Sequence, residues 1–302
     1  MTNRRVFIRK IMGLGAISFI NPSLLMANSN KEHLCILHTN DVHSHIEPFP
    51  KNHAKYPGMG GVAKRANLIT RIRNKSQHTL LFDAGDMFQG TPYFNYYAGE
   101  LEFKLMNAMK YDAATIGNHD FDNGIENLAK QTKNANFKLL CANYNFQNTA
   151  MKNLTKPFHV FTKGRFKVGV FGLGVELKGL VNKRMFGDTI YQDPISKGKE
   201  QISVLKNKYN CNLIICLSHL GLKYNSDKIS DYIIAKECPE IDVIIGGHTH
   251  TFLEKPIEFS HSRNKKTYIS QVGWAGLKLG KIDVYLDDKI NKPIINHTYL
   301  NI

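Results

Sequence analysis

The feature that most constrains this chain is a recurring pattern in which short apolar, strand-forming runs each stop at Asp, Asn or His. Leu34-Cys35-Ile36-Leu37 leads to Asp41-Val42-His43, Leu80-Leu81-Phe82 leads to Asp86, and Ala113-Ala114-Thr115-Ile116 leads to Gly117-Asn118-His119-Asp120. Further on, Leu213-Ile214-Ile215-Cys216-Leu217 leads to His219, and Ile241-Asp242-Val243-Ile244-Ile245 leads to Gly246-Gly247-His248-Thr249-His250. Strand ends are where α/β folds gather side chains from distant parts of a chain into one crevice. Asp41, His43, Asp86, Asn118, His219, His248 and His250 offer oxygen and imidazole nitrogen but no thiolate. That donor set points to a pair of borderline-to-hard divalent ions rather than a Cys-rich structural zinc.

Spacing supports a shared site. Residues i and i+2 of an extended segment project to one side, so Asp41 with His43, and His248 with His250, can each face it. Asp86 follows Gly85 at a sharp strand exit and is the natural carboxylate to bridge two ions. Taken singly, an Asp here reads as a helix N-cap and a His as packing. Their combination and order favour a metal site.

Between these motifs the pattern alternates. Val62, Ala66, Ile69 and Ile72 recur at helical spacing after strand 34–38. Strand 79–83, a helix over 100–109, strand 112–116, a helix over 125–133 and strand 137–142 follow. A second set comprises strand 166–172, a helix over 195–208, strand 212–217, a helix over 226–236 and strand 241–245. Such βαβ stretches imply parallel strands with helices on the sheet faces. Runs at 255–260, 266–272, 277–285 and 293–300 read as strands without helices between them, which predicts a second, partly antiparallel sheet. The segment from Met87 to Phe94 reads as a loop whose aromatics rim the cleft or pack in the core. At 302 residues, 42% hydrophobic and 22% charged, the chain is a globular domain, which excludes a disordered or fibrous chain.

The ordered blocks Thr39-Asn40-Asp41-Val42-His43, Gly85-Asp86, Gly117-Asn118-His119-Asp120, Ser218-His219 and Gly246-Gly247-His248-Thr249-His250 resemble the 5′-nucleotidase branch of the calcineurin-like metallophosphoesterases. Gln271-Val272-Gly273-Trp274-Ala275-Gly276-Leu277-Lys278-Leu279-Gly280 adds to the resemblance, which runs from about Cys35 to about Tyr285. It implies a four-layer α/β/β/α sandwich with two mixed sheets. It also implies two divalent ions (zinc, manganese, iron or cobalt), with Asp86 bridging. Asp41, His43 and His250 would complete one ion's shell, and Asn118, His219 and His248 the other's. His119 would stabilise the transition state or protonate the leaving alkoxide, oriented by Asp122. Asp120 reads as structural, capping the turn into the next helix.

The resemblance implies hydrolysis of phosphate monoesters, 5′-nucleotides foremost, by a metal-activated hydroxide. A 2′,3′-cyclic nucleotide phosphodiesterase/3′-nucleotidase, a related thiosulfohydrolase and a non-enzymatic metal-binding scaffold are the alternatives. Full-length relatives carry a second domain that recognises the nucleoside. Its absence here predicts either a separate chain that supplies it or a less selective phosphoesterase.

Other readings complete the expectation. Asn3-Arg4-Arg5-Val6-Phe7-Ile8-Arg9-Lys10 resembles a twin-arginine export signal, followed by a mostly apolar run from Ile11 to Ile20. That run suits a signal sequence but is shorter than the ~20 residues needed to span a bilayer. The expected organisation is a signal peptide over 1–27 and a metallophosphoesterase catalytic domain over 28–302. The mature chain, with no membrane span, would be periplasmic or at the cell surface. An ordinary secretory signal with paired arginines is the alternative.

The net charge of +15 favours anionic substrates through long-range steering. No stable nucleic-acid partner is expected, and the cluster Lys64, Arg65, Arg71, Arg73, Lys75 reads as a solvated helix face. The five cysteines read mostly as buried thiols. His38 is expected inside strand one, and His45 near the site without a ligand role. His33, His53, His78, His159, His261 and His297 carry no spacing signal.

Overall fold

The computed structural model describes residues 31–262, 265–287 and 290–302. The expected signal segment over 1–27 lies outside the described residues. Two six-stranded sheets form the body of the fold. The first contains β1 (Lys31–Thr39), β2 (His78–Asp83), β3 (Ala113–Ala114), β4 (Lys138–Leu139), β13 (Lys278–Asp287) and β14 (Ile290–Asn301), in the order β14-β13-β1-β2-β3-β4. The second contains β6 (Phe158–Lys163), β7 (Phe166–Gly174), β9 (Leu213–His219), β10 (Val243–Gly246), β11 (Ile257–Ser262) and β12 (Lys265–Ser270), in the order β11-β12-β10-β9-β7-β6. A ribbon of β5 (Tyr144–Asn145) and β8 (Ile190–Tyr191) pairs separately.

The helices are α1 (Val62–Arg73), α2 (Pro92–Tyr97), α3 (Glu100–Ala108), α4 (Ile125–Thr132), the single turn α5 (Lys183–Phe186), α6 (Pro194–Ser203) and α7 (Asp231–Glu237). Alternation along each strand builds the layers. Leu34 and Ile36 of β1 pack inward with Phe82, Val170, Ile215 and Val243, filling the space between the sheets. Cys35 and Leu37 point outward against Ile69 of α1, Phe103 of α3 and Leu128 of α4. Ile214 and Cys216 of β9 likewise meet Ile202 of α6 and Ile234 of α7 on the other outer face. Successive strand residues thus serve opposite faces, giving the expected four-layer α/β/β/α sandwich.

The β-rich tail departs from expectation. It does not make the second sheet, whose centre is β7, β9 and β10 of the second βαβ set. Instead β11 and β12 close one edge of the second sheet, while β13 and β14 extend the first beside β1. Both tail pairs are antiparallel hairpins, and local pairing says nothing about which exposed edge each hairpin covers. β6 was not anticipated. It forms a hairpin with β7 through Gly164, whose φ of 53° suits a tight turn. The expected loop over 87–94 instead enters α2, where Pro92 stands in the first turn after an extended Thr91. The helix expected from 226 starts only at Asp231, after an extended Ser230.

Two charge and thiol expectations resolve differently. All five cysteines are buried and free. Of the basic cluster on and just after α1, Lys64, Arg71 and Lys75 are exposed, but Arg65 is buried and Arg73 donates to the carbonyls of Met109 and Lys110. Arg65 is therefore not part of a solvated face. It packs under the loop at Gly276, where a Cβ would meet its guanidinium. The histidines without a spacing signal pack locally: for example, His33 stacks on Tyr285, and His78 faces Glu32 at 3.1 Å.

His38 continues the inner face of β1 and is fully buried, as expected. Its Nε2 lies 2.9 Å from Ser270 Oγ, which in turn lies 3.0 Å from Tyr299 Oη. His38 Nδ1 and both ring nitrogens of the nearby His297 are buried without a hydrogen-bond partner. Burial, with His297 adding to it, pushes His38 from 6.5 down to about 3. A histidine held neutral in the fold binds its proton more readily when unfolded. This contribution is therefore fully present above pH 6.5 and is lost as pH falls toward 3. The expected loss is about 1.4 kcal/mol per pH unit. Denaturant titrations of His38→Gln and wild type between pH 7 and 4 should show a shallower acid decline in the variant. Equal slopes would exclude His38 as the source.

Candidate metal centre

Within each sheet the central strands are parallel, so their carboxyl ends lie together. The loops leaving β1 and β2 then pair with each other beyond the strands. Asp41, His43 and Ser44 donate their N–H groups to the carbonyls of Gly85, Asp86 and Met87 at 3.0, 3.0 and 3.1 Å. Below them Thr39 Oγ1 donates to Asp83 Oδ2 at 2.6 Å, closing the base of the cleft.

The donors converge in two groups. Asp41, His43, Asp86 and His250 form one, and Asp86, His219 and His248 the other, each with potential ligand atoms within 4.8 Å of one another. Asp86 is common to both. Its Oδ2 lies 3.0 Å from His219 Nε2 and 3.7 Å from His43 Nε2, while its Oδ1 accepts the His119 N–H at 2.8 Å. His43 Nε2 and His250 Nε2 face each other at 3.0 Å, and Asp41 Oδ1 is 3.4 Å from His250 Nε2.

The donor chemistry fits metal. His219 Nδ1 meets the Ala84 carbonyl at 2.7 Å and His43 Nδ1 meets that of Phe88 at 3.3 Å. A carbonyl can only accept, so Nδ1 carries the proton and Nε2 keeps its lone pair for an ion. His219 Nε2 and Asn118 Oδ1 are buried with no hydrogen-bond partner. Burial alone would lower His219, but Asp86 and Asp41 push it up to about 10. Burial would raise Asp86, but His219, His43 and His119 outweigh it and hold it well below the usual carboxylate range. The negative charge of Asp86 and Asp41 beside His219 is the field that favours a cation at this position.

Asp41, His43, Asp86, His248 and His250 all have positive φ, between 49° and 72°. Five of the seven expected ligands therefore sit in left-handed backbone, which non-glycine residues enter at a cost. This corrects the extended-segment argument. Asp41 with His43, and His248 with His250, reach the site through left-handed turns and not along pleated strands. His248 and His250 fall in different donor groups.

Asp120 is structural, though not as a helix cap. Its Oδ1 accepts the N–H groups of Met87 and Phe88 at 2.9 and 3.1 Å, and its Oδ2 those of Asp86 and Gly117 at 3.1 and 2.8 Å. Four donors on one carboxylate hold the turn that presents Asp86. His119 is half-exposed, with Nδ1 2.7 Å from Asp122 Oδ2. The bond to Asp122 raises its pKa, with burial opposing.

Sequence reasoning left several supporting residues without a role. Asn40 Nδ2 donates to Asp41 Oδ2 and to the Gly273 carbonyl, both at 2.6 Å, and its Oδ1 accepts from Val272 N at 2.9 Å. Gln271 Nε2 donates to the Gly247 carbonyl at 2.7 Å, and Trp274 stacks on His250 with 5.8 Å between centroids and 5° between planes. The block 271–280 carried the signal for these contacts, but no spacing rule ties it to Asp41 or His250. His45 has its ring against Trp274 and Phe49, beside the donors rather than among them.

Residues 35–252 match the calcineurin-like phosphoesterase family. The chain is 33% identical over 284 residues to a snake venom 5′-nucleotidase of Crotalus adamanteus, across 85% of this chain and 46% of that protein. It is similar in structure to a 5′-nucleotidase precursor from Thermus thermophilus, with a TM-score of 0.78, 31% identity, and coverage of 89% and 54% of the two chains. The calcineurin-like phosphoesterase YfkN of Bacillus subtilis gives a TM-score of 0.73 at 25% identity, covering 90% of this chain and 91% of that one. The chain spans about half the length of the curated relatives it matches.

Proposed function

The chain belongs to the calcineurin-like phosphoesterase family, and from that premise we propose that it is a dinuclear metal-dependent phosphoesterase hydrolysing phosphate monoesters, 5′-nucleotides foremost. The observation that carries this reading is the Asp86 carboxylate, shared by two groups of converging donors. Asp41, His43 and His250 would hold one divalent ion, Asn118, His219 and His248 the other, with Asp86 between them. When bound, the ions supply Lewis acidity to the phosphoryl oxygens and lower the pKa of the attacking water to about 7.

The remaining steps fall to side chains. His119, half-exposed and held at Nδ1 by Asp122, delivers a proton from Nε2 to the departing alkoxide oxygen. Asp122 fixes the ring and keeps the proton available. Trp274 holds the plane of His250, and Asn40 holds Asp41. Export by the twin-arginine route rests on Arg4-Arg5 and the apolar run after them. No described helix is long and apolar enough to cross a membrane.

The test is hydrolysis of 5′-AMP beside p-nitrophenyl phosphate by protein loaded with Mn²⁺ or Zn²⁺, with bound metal measured on the same sample. Two ions per chain with cleavage of neither ester would overturn the reading. His119→Asn should keep both ions and lose about 10²- to 10³-fold in kcat, the usual share of a positioned proton donor. Asp122→Asn should lose less, about tenfold, because the ring remains but is no longer held. An unchanged kcat in His119→Asn would remove it from the proton-transfer role.

A further inference from the structure

The loops that carry Asp41, His43 and Asp86 do not end at the metal donors. Past His43 the first continues through Ser44 and His45 to Pro50, and past Asp86 the second continues through Gly90 into α2. They stay locked together, since Thr91 Oγ1 donates to the Ser44 carbonyl at 2.8 Å. A Cβ on Gly90 would lie 2.8 Å from the His43 carbonyl, so the two segments pass in direct contact. Between their continuations lies a cavity of about 800 Å³, walled by His45, Glu47, Phe49, Tyr93, Tyr96 and Tyr97. That volume is in the range of small-molecule sites.

One layer of rings separates this cavity from the donors. Trp274 stacks on His250 on one side and meets the His45 ring edge-on at 5.2 Å on the other. On the far wall Tyr96 is 82% exposed and Tyr97 43%, an unusual display of aromatic surface to water. Exposed ring faces suit a flat π-system, because stacking on an aromatic side chain tolerates any planar base. The polar groups of the cavity narrow the choice. Glu47, its carboxylate 3.2 Å from Tyr93 Oη, offers an acceptor to an N–H donor on the ligand.

We propose that this cavity binds an amino-bearing planar heterocycle, the base of a nucleotide whose phosphate lies at the Asp86 centre. It would give this chain a base-binding site of its own. The proposal rests on the phosphoesterase reading above and names the part of the substrate that reading leaves open. Tyr96 and Tyr97 supply the stacking surface, Glu47 accepts from the exocyclic amine, and His45 lines the edge nearest the metal donors, past which the sugar would run.

Equilibrium dialysis of adenosine against metal-loaded protein separates binding from turnover, since adenosine has no phosphate to lose. Wild type should bind it. The Tyr96→Ala/Tyr97→Ala double variant, altered only at exposed side chains, should bind about tenfold more weakly, within the range of one base–aromatic stack. Glu47→Gln should weaken adenosine binding but leave inosine, which lacks the amine, unaffected. In turnover the double variant should raise KM for 5′-AMP about tenfold at constant kcat and leave glycerol 3-phosphate cleavage unchanged. Absence of adenosine binding in wild type, or equal binding in the double variant, would overturn the proposal. Wild type that binds adenosine but cleaves no ester would instead overturn the phosphoesterase reading and leave the cavity assignment standing.

Discussion

Asp86→Asn should abolish the paired metal site, with bound metal falling below two ions per chain and kcat on 5′-AMP falling on the order of 10³-fold. The amide can still accept the His119 N–H through Oδ1, so the local backbone should persist. At the other oxygen position it would present an NH₂ group toward His219 Nε2 and His43 Nε2, which lie 3.0 and 3.7 Å from Asp86 Oδ2. Donors would then meet nitrogens that must offer lone pairs, and the negative charge shared by the two donor groups would be gone. Metal analysis by mass spectrometry together with steady-state kinetics checks both halves. A variant that keeps two ions and wild-type turnover would refute the bridging role of Asp86.

Gly117→Ala should reach the same site without touching its chemistry. A Cβ built on Gly117 lies 2.1 Å from Asp86 Oδ1, 2.5 Å from its backbone nitrogen and 2.7 Å from its Cγ. Those atoms cannot yield easily, because Asp120 clamps the N–H groups of Asp86, Met87 and Phe88. The backbone of Gly117 is not left-handed, so alanine meets no conformational strain of its own. Displacement of the Asp86 carboxylate, together with the turn that carries it, is the effect. The expected outcome is a folded protein with metal affinity lowered about 10- to 100-fold and kcat lowered by about two orders of magnitude. Circular dichroism and metal titration read these separately. Wild-type affinity would mean that the Asp86 side chain can move aside and still serve.

Much of this architecture was legible in the chain. Asp41, His43, Asp86, His219, His248 and His250, which follow the apolar runs, are brought together by the fold, because parallel strands with helical crossovers must leave their carboxyl ends on one edge. The continuous apolar runs of β1 and β9 fit strands buried on both faces, but only the fold shows which side chains face which layer. The contribution of the 271–280 block was not legible. The bond from Asn40 to the Gly273 carbonyl joins positions 233 residues apart, and no local pattern encodes such a contact. Arg65 shows the same limit. On α1 it sits beside the exposed Lys64, and segments distant in sequence, the loop at Gly276 among them, take it out of water.

The division follows from the range of the forces involved. By itself the sequence determined the strand and helix alternation, the order of the donors and the absence of thiolate among them, since each depends on neighbours a few residues away. Only the tertiary structure decided which sheet edge each tail hairpin covers, and that Asp41, His43, Asp86, His248 and His250 enter the cleft through left-handed turns. It alone placed Asp120 under the Asp86 turn and Trp274 against His250. Left-handed backbone costs energy locally even at Asp and His, which enter it more readily than most residues, and nothing in the neighbouring sequence marks where it falls. It persists because the paired loops and the Asp120 clamp, assembled from distant segments, hold it there.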